Sequence, residues 1–212
     1  MRKNETSQYL ISDGMTIFER FAKRLTDILV SVFCLVVFSP LMAYCYMLIR
    51  REHDGPIIYK QERIGRYGKP FYMYKFRTMR TDAENDGPIL ATADGVDSRL
   101  TDTGKFLREH HLDELPQLWN VLIGDMSFIG PRPERKYFID QIMQKDSRYE
   151  YLYQIRPGVT SYATLYNGYT DTLEKMLRRL ELDLYYLEHR SFFFEMKILW
   201  LTFISIISGK KF

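Results

Sequence analysis

Asp113 and Glu114 stand side by side in Leu112-Asp113-Glu114-Leu115-Pro116-Gln117, and two carboxylates this close make a hard oxygen site. Mg²⁺ takes a few carboxylates of this kind and keeps positions open for substrate phosphates. Phosphoryl transfer asks for little beyond such positioning and charge neutralisation, so this is the chemistry the pair suggests. Adjacent acidic residues are also common on exposed surfaces, and the pair gains meaning only from the elements that hold it.

Those elements read as two short helices. Thr101 or Asp102 caps one that runs through Phe106, Leu107 and His111, and Pro116 disfavours helical geometry at Leu115, so the chain is expected to break just after the acidic pair. A second helix, with Pro116 near its first position, continues through Leu118, Trp119, Leu122 and Ile123. Asp113 and Glu114 then lie at its N-terminus, whose partial positive charge favours an ionised carboxylate. Gly124-Asp125-Met126-Ser127 and Gly130-Pro131-Arg132-Pro133 form a rigid turn, followed by an amphipathic stretch over 134–145, and Arg156-Pro157-Gly158 is another turn. Leu173, Met176, Leu177, Leu180, Leu184 and Leu187 recur at helical steps. The apolar run 192–207 fits either a core helix or an interfacial one.

Upstream, 57–64 and 71–79 favour strands, and Gly65-Arg66-Tyr67-Gly68-Lys69-Pro70 between them predicts a β-hairpin. Its basic residues, among them Lys75 and Arg77, alternate with tyrosines and phenylalanines, which suits phosphates or anionic lipid. The plainer reading is a solvated ribbon with snorkelling Lys and Arg stems. Residues 81–100 show little apolar periodicity and read as a long loop.

Residues 28–49 contain no charge, and as a straight helix they would extend about 33 Å, enough for a hydrocarbon core of about 30 Å. The run starts late and ends in Arg50-Arg51 without a small-residue cleavage site, unlike a signal peptide. Pro40 removes a backbone donor and clashes with the Val36 carbonyl, and Ser39 is placed to bond that carbonyl, so Ser39-Pro40 reads as a hinge. Basic pairs flank the run on both sides, Lys23-Arg24 and Arg50-Arg51, so the positive-inside rule favours neither orientation. A re-entrant hairpin and a kinked span both satisfy these residues.

Composition excludes other classes. With 27% charged and 46% hydrophobic residues in 212, the chain is neither disordered nor polytopic, and it can bury one sizeable core. A net charge of +3 argues against nucleic acid as a partner. Cys34 and Cys45 both fall in the apolar run, which fits a reduced, cytoplasm-facing protein rather than a disulfide framework. His53, His110, His111 and His189 lack metal-ligand spacing and receive no catalytic role.

The motifs resemble one family, the monotopic phosphoglycosyl transferases, bacterial sugar transferases that begin capsule, O-antigen and glycoprotein assembly. The resemblance runs from Lys23-Arg24 through Ser39-Pro40, Tyr74-Lys75-Phe76-Arg77-Thr78-Met79, the acidic hexapeptide, Asn120-Val121-Leu122, Gly124-Asp125-Met126-Ser127 and Gly130-Pro131-Arg132-Pro133 to Arg156-Pro157-Gly158. It implies that Asp113 is a nucleophile that attacks the β-phosphate of a UDP-sugar, releases UMP and holds the phosphosugar until polyprenyl phosphate accepts it. Glu114 would share Mg²⁺ with Asp113 or handle protons, Arg108 and Arg132 would bind phosphate together with Lys75 and Arg77, and Ser39-Pro40 would make the re-entrant hairpin. After Gly158 many relatives continue with a Gly-rich stretch, where this chain has Val159-Thr160-Ser161-Tyr162-Ala163-Thr164-Leu165-Tyr166, so the sugar does not follow from the resemblance.

The expected architecture is α+β and mainly helical. A polar tail over 1–22 leads to the re-entrant membrane helix over 23–51, a catalytic domain over 52–190 carrying the β-hairpin, and an apolar or interfacial helix over 191–212. Its expected place is the cytoplasmic face of the bacterial inner membrane, in contact with membrane lipid, with a homodimer left open. An inactive membrane-anchored scaffold of polysaccharide assembly is the alternative function, and turnover of a sugar nucleotide would exclude it.

Overall fold

A computed structural model of the protein describes residues 11–52, 55–83, 97–168 and 170–208, so most of the loop expected at 81–100 lies outside the described residues. The described chain is mainly helical with two small sheets. Helix α1 spans Ile17–Val37 and α2 spans Ser39–Arg50, bent by 60° at Phe38. As the hinge reading requires, the Ser39 hydroxyl donates to the Val36 carbonyl at 2.8 Å. Among the described residues no single helix is long and apolar enough to cross a membrane, and α1 and α2 reach that length only together.

Helix α1 begins inside the stretch 1–22 that reads as a polar tail. The cause is local: the Thr16 side chain accepts from the Glu19 N–H, and the Glu19 carboxylate accepts from the Thr16 N–H, a reciprocal cap that starts the helix at Ile17. Residues 11–16 lie along the body, where Gly14 N–H donates to Leu187 O at 2.9 Å and Met15 is buried. One side of α1 carries Lys23, Asp27 and Ser31 inward, and the other exposes a stripe of Ile17, Phe18, Phe21, Leu25, Leu29, Phe33 and Val36.

The predicted hairpin forms from β1 (Ile58–Ile64) and β2 (Pro70–Phe76), antiparallel with Tyr59 opposite Lys75. It is no solvated ribbon. Met73 and Phe76 are buried, and Phe76 packs with Cys45 and Ile49 of α2 and with Leu107. Helix α3 (Asp102–Glu109) starts on the Thr101 side chain, which accepts from the Gly104 N–H. It stops before His111, whose φ of 54° reverses the chain. Leu112–Glu114 then form a single 3₁₀ turn, and α4 follows over Gln117–Ile123 with Pro116 at its cap. The break therefore precedes the acidic pair, and Leu115 stays helical at φ −52°, ψ −36°. Pro116 lacks only an N–H that has no intrahelical partner at a helix start, so the proline costs little there.

Helix α4 packs between α1 and β2. Strands β3 (Ser127–Ile129) and β4 (Gly158–Thr160) pair in parallel and bring two turn motifs together. Gly158 N–H donates to Pro131 O at 2.9 Å, and a Cβ on Gly130 would lie 2.3 Å from Arg156 O. The Gly130-Pro131-Arg132-Pro133 turn is thus braced backbone to backbone by Arg156-Pro157-Gly158. The main core gathers α5 (Lys136–Met143), α7 (Leu173–His189) and Ile198 of α8 (Phe192–Ile207), with α6 (Tyr162–Asn167) packed against α7. Helix α8 is a core helix on one side, through Glu195 and Ile198, and exposes Phe193, Trp200, Phe203 and Ile204 on the other.

Candidate active site

Asp113 and Glu114 occupy the 3₁₀ turn that feeds the amino end of α4. Asp113 is 7% exposed and has no hydrogen bond or ion pair among the described residues. Glu114 differs, because its Oε1 accepts from Lys75 Nζ at 2.6 Å, a charge-assisted contact with both side chains largely shielded. Two adjacent carboxylates are therefore held in unlike surroundings.

The surroundings act oppositely on their protonation. Burial raises the Asp113 carboxyl above its ordinary range, and the neighbouring Glu114 adds to this against the pull of Lys75 and Arg108. Burial also acts on Glu114, but Lys75 and Arg132 outweigh it and take that carboxyl down to about 2. Glu114 is thus held as an anion, while burial works against the charge on Asp113.

Three basic side chains named from the sequence converge here. Lys75 comes from β2, and its register is fixed by Asn120, a fully buried residue on α4. The Asn120 Oδ1 accepts from Tyr74 N–H at 3.0 Å and its Nδ2 donates to Tyr72 O at 2.7 Å, as a neighbouring strand would. Arg108, on the last turn of α3, lies 3.8 Å from Asp97 and attracts the Asp113 charge. Arg132 is exposed on the braced turn and attracts Glu114. Arg77 is not brought in. It is 5% exposed and pairs with Glu52 at 3.3 Å, joining the hairpin to the end of α2.

Sequence reasoning missed two residues of the site. Asn120 carries a signal in retrospect, an amide inside an otherwise apolar helix. His111 carried only a weak one, since its left-handed backbone just before the acidic turn is a conformation that histidine adopts more often than most residues. The Gly130-Pro131-Arg132-Pro133 turn is further fixed by Glu134, which pairs with Arg63 at 3.4 Å and with Arg179.

The carboxylate set is of a kind that suits Mg²⁺: two acidic side chains, one of them free of protein partners among the described residues, with Lys75, Arg108 and Arg132 acting on their charge.

The family model for bacterial sugar transferases matches residues 18–209. The chain is 40% identical over 189 residues to the UDP-N-acetylgalactosamine-undecaprenyl-phosphate N-acetylgalactosaminephosphotransferase of Aeromonas hydrophila, covering 89% of this chain and 44% of that protein. It is 40% identical over 185 residues to the UDP-glucose:undecaprenyl-phosphate glucose-1-phosphate transferase of Escherichia coli (strain K12), covering 86% of this chain and 39% of that one. The chain thus spans about four-tenths of the length of these two relatives. The exopolysaccharide production protein PSS of Rhizobium leguminosarum bv. phaseoli is 35% identical over 197 residues, covering 89% of this chain and 96% of that protein. With the match running from the first turn of α1 past the end of α8, the chain belongs to the bacterial sugar transferase family.

Proposed function

We propose that the chain transfers a phosphosugar from a UDP-sugar to polyprenyl (undecaprenyl) phosphate, at the cytoplasmic face of the bacterial inner membrane, with α1 and α2 as a re-entrant hairpin in contact with membrane lipid. The observation that carries the reading is the division of labour in the acidic turn: Glu114 is engaged by Lys75, while Asp113 keeps both oxygens free of protein partners among the described residues.

In the first step an Asp113 carboxylate oxygen forms a bond to the β-phosphorus, and the bond from that phosphorus to the bridging oxygen breaks. The electron pair leaves with UMP, and the phosphosugar stays on Asp113 as an acyl phosphate. In the second step a polyprenyl phosphate oxygen attacks the same phosphorus and returns Asp113 to its carboxylate, the two-step course expected of a carboxylate nucleophile. Arg132 and Arg108 are placed to hold phosphate oxygens, and Lys75 keeps Glu114 ionised. Asp113 and Glu114 would hold Mg²⁺, which would supply charge neutralisation beside the buried carboxyl.

The test is intact-protein mass spectrometry after mixing with UDP-sugar and Mg²⁺ and no lipid acceptor. The mass of one phosphosugar is expected on wild type and on no molecule of Asp113→Asn. Turnover without that adduct would make Asp113 a metal ligand in a direct displacement, and no turnover with any UDP-sugar would leave the scaffold reading.

A further inference from the structure

At the far end of α4 from the acidic turn lies a cavity of about 190 Å³, more than ten times the roughly 10–15 Å³ that one water requires. Helix α4 separates the two places by its seven residues, about 10 Å. Six cations line the cavity, Arg20, Lys23, Arg24, Arg66, Arg156 and Arg190, against the acids Asp13 and Asp27.

The acids are already matched. Asp13 lies 3.6 Å from Arg20 and 3.7 Å from Arg190, and Asp27 lies 3.4 Å from Lys23. Three guanidinium groups hydrogen-bond only to neutral oxygens, and Arg66 also lies over the Tyr67 ring at 4.6 Å. Arg24 donates to Val121 O at 2.7 Å and Leu122 O at 2.8 Å, Arg156 to Gly124 O at 2.7 Å, and Arg66 to Gln154 O at 2.9 Å. Burial lowers the Arg156 pKa, and repulsion from Arg24 and Arg66 lowers it further against the weaker pull of Asp27. Capping the carboxyl end of α4 explains part of this, since such an end carries about half a negative charge. It does not account for Arg66, which bonds elsewhere, or for the open volume between the groups. A further polar group lies beside it: Ser127 lines the cavity, and its buried hydroxyl, in a residue 2% exposed, has no hydrogen-bond partner.

We infer that this cavity is a second phosphate site, separate from the acidic turn, in which Arg24, Arg66, Arg156 and Ser127 hold the phosphate of a membrane amphiphile. The apolar rim favours a lipid-borne phosphate over a free one. Phe21 lines the cavity while 68% exposed, and it belongs to the stripe of α1 that exposes Phe18, Leu25 and Leu29. A phosphate seated between the arginines can leave its acyl chains along that stripe. The choice of source rests on the membrane-facing reading of α1, and the anion site does not.

Calorimetric titration of the detergent-purified full chain tests this, with short-chain phosphatidic acid in one arm and inorganic phosphate in the other. Phosphatidic acid should bind wild type and Asp113→Asn alike, and bind Arg66→Gln about tenfold or more weakly, the loss of a charge-assisted contact. Ser127→Ala, a small buried change that leaves every bond described above in place, should weaken it severalfold. Inorganic phosphate binding as tightly, with the same sensitivity to both variants, would overturn the lipid source. Absence of binding in both arms, or binding that neither variant weakens, would make the cluster purely structural and overturn the site.

Discussion

Asp183 is a carboxyl buried on α7, and replacing it by asparagine should stabilise the fold in a pH-dependent way. It lies on α7 at 2% exposure, and one of its carboxyl oxygens has no hydrogen-bond partner. Burial is the main cause of its displacement, with Glu134 adding to it and Arg179 opposing, and the carboxyl is pushed up to about 7 from an ordinary 3.8. At about 1.36 kcal/mol per pH unit this corresponds to roughly 4 kcal/mol. The native state binds more protons than the unfolded chain between the two values, so stability falls as pH rises from about 4 to about 7 and then levels off. Asp183→Asn removes that decline. Its amide needs partners of its own, on the order of 1 kcal/mol, so a net gain of about 2–4 kcal/mol is expected at pH 8 and almost none at pH 4. Denaturant titrations of both proteins in the same detergent, taken across that range, measure the difference directly. Parallel curves at every pH would refute the reasoning, because a variant acting through packing alone shifts stability by a constant amount.

Other perturbations probe the site and its supports. Lys75→Met removes the 2.6 Å partner of Glu114 and leaves burial unopposed by its strongest cation, so the acid limb of UMP release should move up by about one pH unit or more. An unchanged pH profile with a lowered rate would reduce Lys75 to a structural role. Gly104→Ala places a Cβ 1.9 Å from Thr78 O, a backbone atom that cannot yield without moving the segment after β2, and a loss of about 1–3 kcal/mol or more in thermal or denaturant stability is expected. Pro40→Ala restores a backbone donor at the bend of α1 and α2, and periplasmic labelling of a cysteine introduced ahead of Lys23 is expected in the variant, with none expected at either end of wild type.

Local signals carried much of this structure, and contacts between distant segments carried the rest. The turn-rich hexapeptide between two strand-like runs specified the β1–β2 hairpin, and the leucine spacing over 173–187 specified α7, because both rest on short-range chemistry. The start of α1 is written in Thr16 and Glu19, which stand at capping-box spacing ahead of the charge-free run from Ile28. The break near the acidic pair falls before it, not after it as Pro116 suggests. Pro116 advertises an end of helix, whereas the reversal is made by His111, a residue type that adopts positive φ more often than most. For the basic residues, composition left phosphate, anionic lipid and a solvated ribbon open, and burial separates them: Lys75 pairs with Glu114 of the acidic turn and Arg77 pairs with Glu52.

The pairing of motifs across β3 and β4 shows why separated signatures can serve one site. Gly130 and Gly158 meet where neither tolerates a Cβ, at 2.3 Å and 2.2 Å from the opposing backbone, so the turn bearing Arg132 takes its shape from a segment nearly thirty residues downstream. Arg156, in that downstream segment, bonds Gly124 O just past α4, the helix whose amino end carries Asp113 and Glu114. Arg132 on the braced turn and the arginine cluster at the far end of α4 are therefore held by the same short stretch of backbone. A displacement of the Arg156-Pro157-Gly158 turn must disturb both, while Arg66→Gln and Asp113→Asn each act at one end alone.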